Sequence, residues 1–208
     1  MIRERLLSVA IERFGESGFE GASTRDIAQA ADTAMSSITY HFGGKEGLYL
    51  ACADFIAEMI RERQAQALTI LAESIDGIDA QTARERLLTI LDGFAAMMLS
   101  PQSASWARLI VREQQAPTEA FERLYAGAMG PMIKGTTRLL AIARPDLDDH
   151  ECSASLMLMV GQALVLRVGR ASLERALGVK QLGETEGQLL REQLRSNALA
   201  ILTAEKAP

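Results

Sequence analysis

The sequence predicts an all-α protein, with a small N-terminal domain over residues 1–46 and a larger helical domain over residues 47–208. Apolar residues recur at three- and four-residue intervals along almost the whole chain, and no stretch alternates with the two-residue period of a strand. Glycine, proline and short polar clusters cut this pattern into pieces of helical length. With 208 residues, 48% of them hydrophobic and 24% charged, the chain can bury a substantial core.

Helix 1 places Ile2, Leu6, Ala10 and Phe14 on one face, and Gly18 ends it. Ser23 or Thr24 can cap helix 2, with Asp26 near its positive end. Residues 34–41 form helix 3, with Ile38 and Phe42 turned inward. Phe42-Gly43-Gly44 breaks the chain, and Lys45 opens a helix that continues through Leu48, Cys52, Phe55 and Met59 to about Leu71. A helix over 82–99 repeats Leu87, Leu91, Phe94 and Met98 and stops at Ser100-Pro101. Residues 103–115 carry Trp106, Leu109 and Ile110. Pro117 then opens a long helix through Phe121, Tyr125, Ala128, Met132 and Leu139, which Gly130-Pro131 should kink. After a turn at residues 143–146, Asp148 or Asp149 caps a helix reaching about Arg175. A connector over 178–186 leads into a last helix with Leu190, Leu194, Ala198 and Ile201.

Helices 2 and 3, joined by a tight polar break and followed at once by a third helix, have the form of a helix-turn-helix. That form places its second helix in a DNA major groove. Here the exposed positions of this helix are Met35, Ser36, Ser37, Thr39, Tyr40 and His41. Hydroxyls of this kind donate to phosphates, and apolar tips touch thymine methyls. On Phe14-Gly15-Glu16-Ser17-Gly18-Phe19, Thr24-Arg25-Asp26-Ile27-Ala28 and Ile38-Thr39-Tyr40-His41-Phe42-Gly43-Gly44-Lys45-Glu46-Gly47-Leu48, residues 1–50 resemble the DNA-binding domain of the TetR family of transcription regulators. The C-terminal part is similar to the CecR-like branch through Arg112-Glu113-Gln114-Gln115-Ala116-Pro117, Gly161-Gln162-Ala163-Leu164 and Arg170-Ala171-Ser172. The resemblance implies phosphate contacts from Thr24, Tyr40 and Lys45 and base-edge contacts from Met35, Ser36 and Thr39. Asp32 and Thr33 depart from it, standing where a glycine and a small apolar residue are usual, and Thr39 replaces a frequent tyrosine. Asp tolerates the left-handed conformation such a turn asks for.

The net charge of −5 means that DNA binding must be local and not the property of a polycation. Even residues 1–50 balance Arg3, Arg5, Arg13, Arg25 and Lys45 against seven carboxylates. Cys52 and Cys152 lie in apolar helical patterns without zinc or disulfide spacing, so no metal is expected and a reducing compartment fits. No charged-then-apolar leader opens the chain, and the apolar run over 156–166 reads as too short to span a bilayer. The expectation is a cytoplasmic protein with no membrane partner and no cofactor.

The stretch over 156–168 is apolar almost all round and needs cover on both sides. One side can face its own domain and the other a second copy, with Gly161, Ala163, Gly169 and Ala171 allowing close approach. Recognition of an inverted repeat also requires a two-fold, and the resemblance implies a homodimer through the last two long helices. Methionines on the C-terminal helices are adaptable walls for a pocket. Met98, Trp106, Ile110, Glu113, Tyr125, Met129, Met159 and Gln162 are the candidate contacts for a small apolar or amphipathic effector. Catalysis is not expected: the two histidines are His41 and His150, and no nucleophile, base and orienter form a recognisable set. The sequence thus points to an effector-released repressor on an inverted-repeat operator. Two alternatives are a DNA-binding protein controlled by a partner protein, which a filled core would favour, and an enzyme on a helical scaffold.

Overall fold

A computed structural model describes residues 2–204, which form helices joined by short turns, with no strand among the described residues. By packing, the chain divides into two compact units. The first runs through Glu62 and also takes in Ala104–Gly130; the second holds Arg63–Ser103 and the chain from Pro131 on. The expected boundary at residue 46 falls inside the first of these units.

In the first unit, α1 (Ile2–Gly21) buries Leu6, Leu7, Ala10, Ile11 and Phe14, while Ile2 at its tip is exposed. Gly18 leaves the helical conformation with φ of 74°, which is where the regular helix ends. Ser23 is the cap of α2 (Thr24–Ala30), accepting from the Asp26 amide at 3.3 Å. The turn to α3 (Ser36–Phe42) passes through Asp32 with φ of 48°, so aspartate does take the left-handed position. Helix 3 starts two residues later than its sequence pattern suggests. Ile38 is buried and Phe42 only half-buried. Gly43, with φ of 77°, closes α3 and donates to the Thr39 carbonyl at 2.9 Å. A Cβ on Gly47 would sit 1.8 Å from the Phe42 carbonyl oxygen, so the step from α3 into α4 (Lys45–Arg63) admits no side chain there. α7 (Ala104–Gln115) packs along α1, and Pro117-Thr118 turns the chain into α8 (Glu119–Leu124).

Helix 4 does not run to Leu71. It breaks at Gln64, a buried polar residue with φ of −103° and ψ of 22°, and α5 (Ala65–Ala72) follows. The Gln64 amide meets Met97 Sδ at 3.8 Å. The expected kink at Gly130-Pro131 takes another form. Tyr125–Met129 is a turn of π-helix, from which α9 (Gly130–Ala143) continues. Pro131 has no N–H to give to the carbonyl four residues back, that of Gly127. Widening the helix by one residue relieves the clash, and Arg61 Nη1 donates to the Gly127 oxygen at 3.2 Å instead.

In the second unit α6 (Ala80–Leu99) is central, with α10 (Asp149–Val168) and α12 (Glu184–Thr203) packed against it. Leu87, Leu91, Ala95 and Met98 meet a core that includes Leu156, Met159, Ala163, Leu194, Ala198 and Leu202. Asp79 caps α6 and Asp148 caps α10 in a reciprocal capping box with Glu151. The carbonyls at the end of α6 are taken by guanidinium groups: Arg170 donates to Leu99 at 3.1 Å and Arg167 to Ser100. Arg191 pairs in fork geometry with Asp92, joining α12 to α6. The α10 helix stops at Val168 instead of reaching Arg175. Gly169 separates it from α11 (Arg170–Ala176).

Candidate nucleic-acid interface

The exposed face of α3 is held by three local devices. Ile38 pins the inner face of α3. Ser37 and Thr33 share a hydroxyl hydrogen bond of 2.9 Å, tying the helix to its turn. Arg5 Nη2 donates to the Asp32 carbonyl at 2.9 Å and stands 3.8 Å from its carboxylate, which offsets the negative charge at the turn. What remains outward is Met35, Ser36, Thr39, Tyr40 and His41, all exposed, with Tyr40 at 85%. Ser37 is half-buried and its hydroxyl engaged, so it is less available than its neighbours. Tyr40 and His41 rings meet edge-on at 4.9 Å. An exposed apolar tip, two free-standing hydroxyl positions and a projecting phenol on one short helix suit groove edges and backbone oxygens.

Thr24 is half-buried at the start of α2. Lys45 is not extended into solvent: its Nζ donates to the Glu20 carbonyl at 3.2 Å and lies 4.8 Å from the centre of the Phe19 ring. It can reach a phosphate only by exchanging these partners. The recess bordered by Ile2, Glu4, Arg5 and Ser8 lies on the first turns of α1 and includes none of the expected contacts.

The expected effector residues fall in both units. Trp106, Ile110, Glu113, Tyr125 and Met129 belong to the first, and Met98, Met159 and Gln162 to the second. Met98 and Met159 are buried, and Gln162 accepts from Asn197 at 3.2 Å. Tyr125 is exposed at the π-turn. Trp106 is buried and its indole Nε1 has no hydrogen-bond partner among the described residues, an unmet donor in the interior of the first unit. Glu113 has another employment. Its carboxylate is 3% exposed and accepts from Tyr49 Oη at 2.5 Å, from Thr118 N at 3.1 Å and Oγ1 at 2.8 Å, and from Phe121 N at 3.0 Å. Burial and the Glu113 carboxylate together push the Tyr49 phenol above its ordinary range. Sequence reasoning passed over Tyr49. Arg112 Nε and Nη2 donate to the Gly15 and Glu16 carbonyls at 3.0 and 2.8 Å.

The second unit exposes an apolar stripe on α10 through Met157, Leu158, Val165 and Val168, with Gly161 between them, and Leu189 and Leu199 stand out from α12. Ala163 lies on the opposite, buried face of α10, so it belongs to the protomer's own core. Over its full 20 residues α10 is long and apolar enough to cross a membrane by length and composition alone, a test that the core helix of a soluble protein passes too.

Residues 6–52 match the model of the bacterial regulatory proteins of the tetR family, and residues 83–204 match that of the C-terminal domain of the HTH-type transcriptional dual regulator CecR. The chain is 29% identical over 205 residues to the dual regulator CecR of Shigella flexneri, spanning 96% of this chain and 91% of that one. A TetR-family regulator from Bordetella parapertussis shares the fold, with a TM-score of 0.68, 19% identity and 99% and 98% of the two chains covered. So does AibR, solved in complex with isovaleryl coenzyme A and operator DNA, at TM-score 0.68, 14% identity and 97% of each chain. The relatives and the fold are those of regulators and not of enzymes. The chain belongs to the TetR family of DNA-binding transcriptional regulators, in its CecR-like branch.

Proposed function

We propose that the protein is a homodimeric repressor that binds an inverted-repeat operator and is released by a small apolar or amphipathic effector. The carrying observation is the pairing of an exposed reading helix, α3, with an unpartnered apolar stripe on α10. One α3 covers only a few base pairs; two copies related by a two-fold cover successive major grooves. The stripe at Met157, Leu158, Gly161, Val165 and Val168 is the surface that a second copy covers. In this reading Met35, Ser36 and Thr39 touch base edges, and Thr24, Tyr40, His41 and Lys45 touch the backbone, with Ser37 bracing the helix. Such a protein works where the genome is, in the cytoplasm.

The effector reading rests on the orphan indole N–H of Trp106, buried in the first unit; in the second unit Met97, Met98 and Met159 are buried. AibR binds isovaleryl coenzyme A, a molecule with an apolar acyl end and a polar remainder, and the same amphipathic class suits a methionine-rich interior here. For release, the effector must bind better to the DNA-free arrangement than to the bound one. Selection of bound fragments from genomic DNA, followed by titration of the enriched site in vitro and as a promoter fusion, tests the reading. An inverted repeat whose reporter falls when the protein is expressed supports it. Enrichment of sites without two-fold symmetry overturns the dimeric operator, and a rising reporter overturns repression.

A further inference from the structure

We propose that the adjacent residues Arg112 and Glu113 are positioning residues for operator binding: they clamp the end of α1 and the start of α4 to the α7–α8 corner and so aim α3 without touching DNA. This rests on the dimeric-operator reading above, because what the clamp protects is the spacing between two reading helices.

Two neighbouring residues on one helix point their side chains to different elements. Arg112 reaches the Gly15 and Glu16 carbonyls with two guanidinium N–H groups, at 3.0 and 2.8 Å. These carbonyls lie in the last turn before Gly18, where α1 leaves helical geometry and its terminal oxygens lack partners in the helix. Gly18 itself runs close beneath: a Cβ there would stand 3.3 Å from Arg112 Nη1. Glu113 turns inward. One oxygen takes the Tyr49 hydroxyl from the second turn of α4, and the other takes two backbone N–H groups and a hydroxyl at the start of α8. A buried carboxylate with four donors holds those donors in place, since releasing any of them leaves charge unmet in the interior.

The consequence is mechanical. The elements that present α3 are α1, α2 and the first turns of α4, and two of these three are fixed to α7–α8 through a single dipeptide. Tyr49 adds stiffness on its own side, with its ring edge-on to Phe14 at 4.8 Å and to Phe19 at 5.2 Å. Packing gives the same division, placing Ala104–Gly130 with the chain through Glu62 in one unit. A three-helix head free of this clamp still reads a half-site, but its tilt is no longer set.

The test compares Tyr49→Phe and Arg112→Ala with the wild-type protein on three DNA probes: a single half-site, the selected inverted repeat, and the repeat with one base pair inserted or removed at its centre. Both changes remove polar links and leave the packed rings and the α3 surface in place; circular dichroism and thermal melts confirm the fold. Half-site affinity should stay as in the wild type. The preference for the correct spacing over the altered ones should drop about tenfold, the scale of losing one hydrogen bond to or from a charged group. Variants that melt earlier yet keep full spacing preference overturn the clamp as a positioning device. An equal loss on all three probes overturns it too, since that is a damaged reading surface. A wild type with no spacing preference removes the dimeric-operator reading and the proposal with it.

Discussion

Lys45 shows how a residue's free-state partners decide what its loss does. Its ammonium already has a carbonyl acceptor at Glu20 and an aromatic face at Phe19, so moving to a phosphate exchanges one set of favourable contacts for another. The electrostatic gain on DNA comes mainly from counterion release and carries no sequence information. Lys45→Ala should therefore weaken binding to every duplex similarly and lower the salt slope by about one, measured by fluorescence anisotropy across ionic strengths. An unchanged slope shows that Lys45 stays with α1. Thr39→Ala removes a hydroxyl from an exposed face and should instead redistribute affinity among half-site sequences at constant slope. The cysteines give a prediction of another kind. Burial pushes the Cys52 thiol well above its ordinary range, and Cys152 is raised too, first by burial and then by Asp149 and Asp148. Neither is then a ready thiolate, so both should resist alkylation in the folded protein and react together on unfolding. One thiol modified rapidly under native conditions contradicts this.

Two helix starts were legible in the sequence because caps are local: Ser23 and Asp148 each bond an amide three residues on, and such residue types announce it, whereas Asp79 caps α6 ahead of the start read at residue 82. Helix breaks were less so. Nothing about Gln64 as a residue type ends a helix, yet the chain breaks there with its amide buried against Met97 Sδ, a residue 33 positions on. The proline at 131 signalled distortion correctly, but whether that means a kink or a π-turn depends on a donor that comes from Arg61, far away in sequence. The exposed face of α3 was legible for the same reason as the caps, since exposure follows helical period. The task of Glu113 was not, because one of its four donors is Tyr49, 64 residues away in sequence, and the other three come together only in the cap of α8. The π-turn also makes a tight seam. A Cβ on Gly127 would stand 2.9 Å from Ala57 Cβ, while Arg123 holds Asp54 one turn away at 2.8 Å. Gly127→Ala must push α4 from the π-turn and should cost about 1–3 kcal/mol in urea unfolding despite the better helix propensity of alanine. A stabilised variant shows that the seam is slack.

At the scale of the molecule, the exposed stripe of α10 and the buried donor of Trp106 set the two remaining expectations. Val165→Asp puts a charge on the stripe at a position already exposed in the protomer, so folding should survive while association fails. Sedimentation equilibrium at micromolar concentration should give a wild-type dimer and a folded Val165→Asp monomer with weak operator binding. A wild-type monomer removes the dimer. Gly161→Ala sharpens the point, because a Cβ there meets nothing within 4 Å inside the protomer. On a free surface the change should stabilise the helix by about 0.5–1 kcal/mol, and in a close interface it should weaken the dimer instead. Control by an effector is a further step, read at Trp106, the single tryptophan of the chain. An acceptor atom on a bound molecule can take its unmet N–H, and the apolar remainder of that molecule can lie along the ring. Binding should then shift or quench the emission and lower operator affinity by about 1–3 kcal/mol of coupling. Linkage makes that coupling symmetric, so saturating operator must weaken the effector by the same factor. Short acyl-coenzyme A thioesters and free fatty acids titrated against Trp106 emission, with and without operator, measure both sides of the cycle. Compounds that change the emission but bind equally well in the two conditions have no hold on the DNA-binding equilibrium, and the buried indole then serves packing alone.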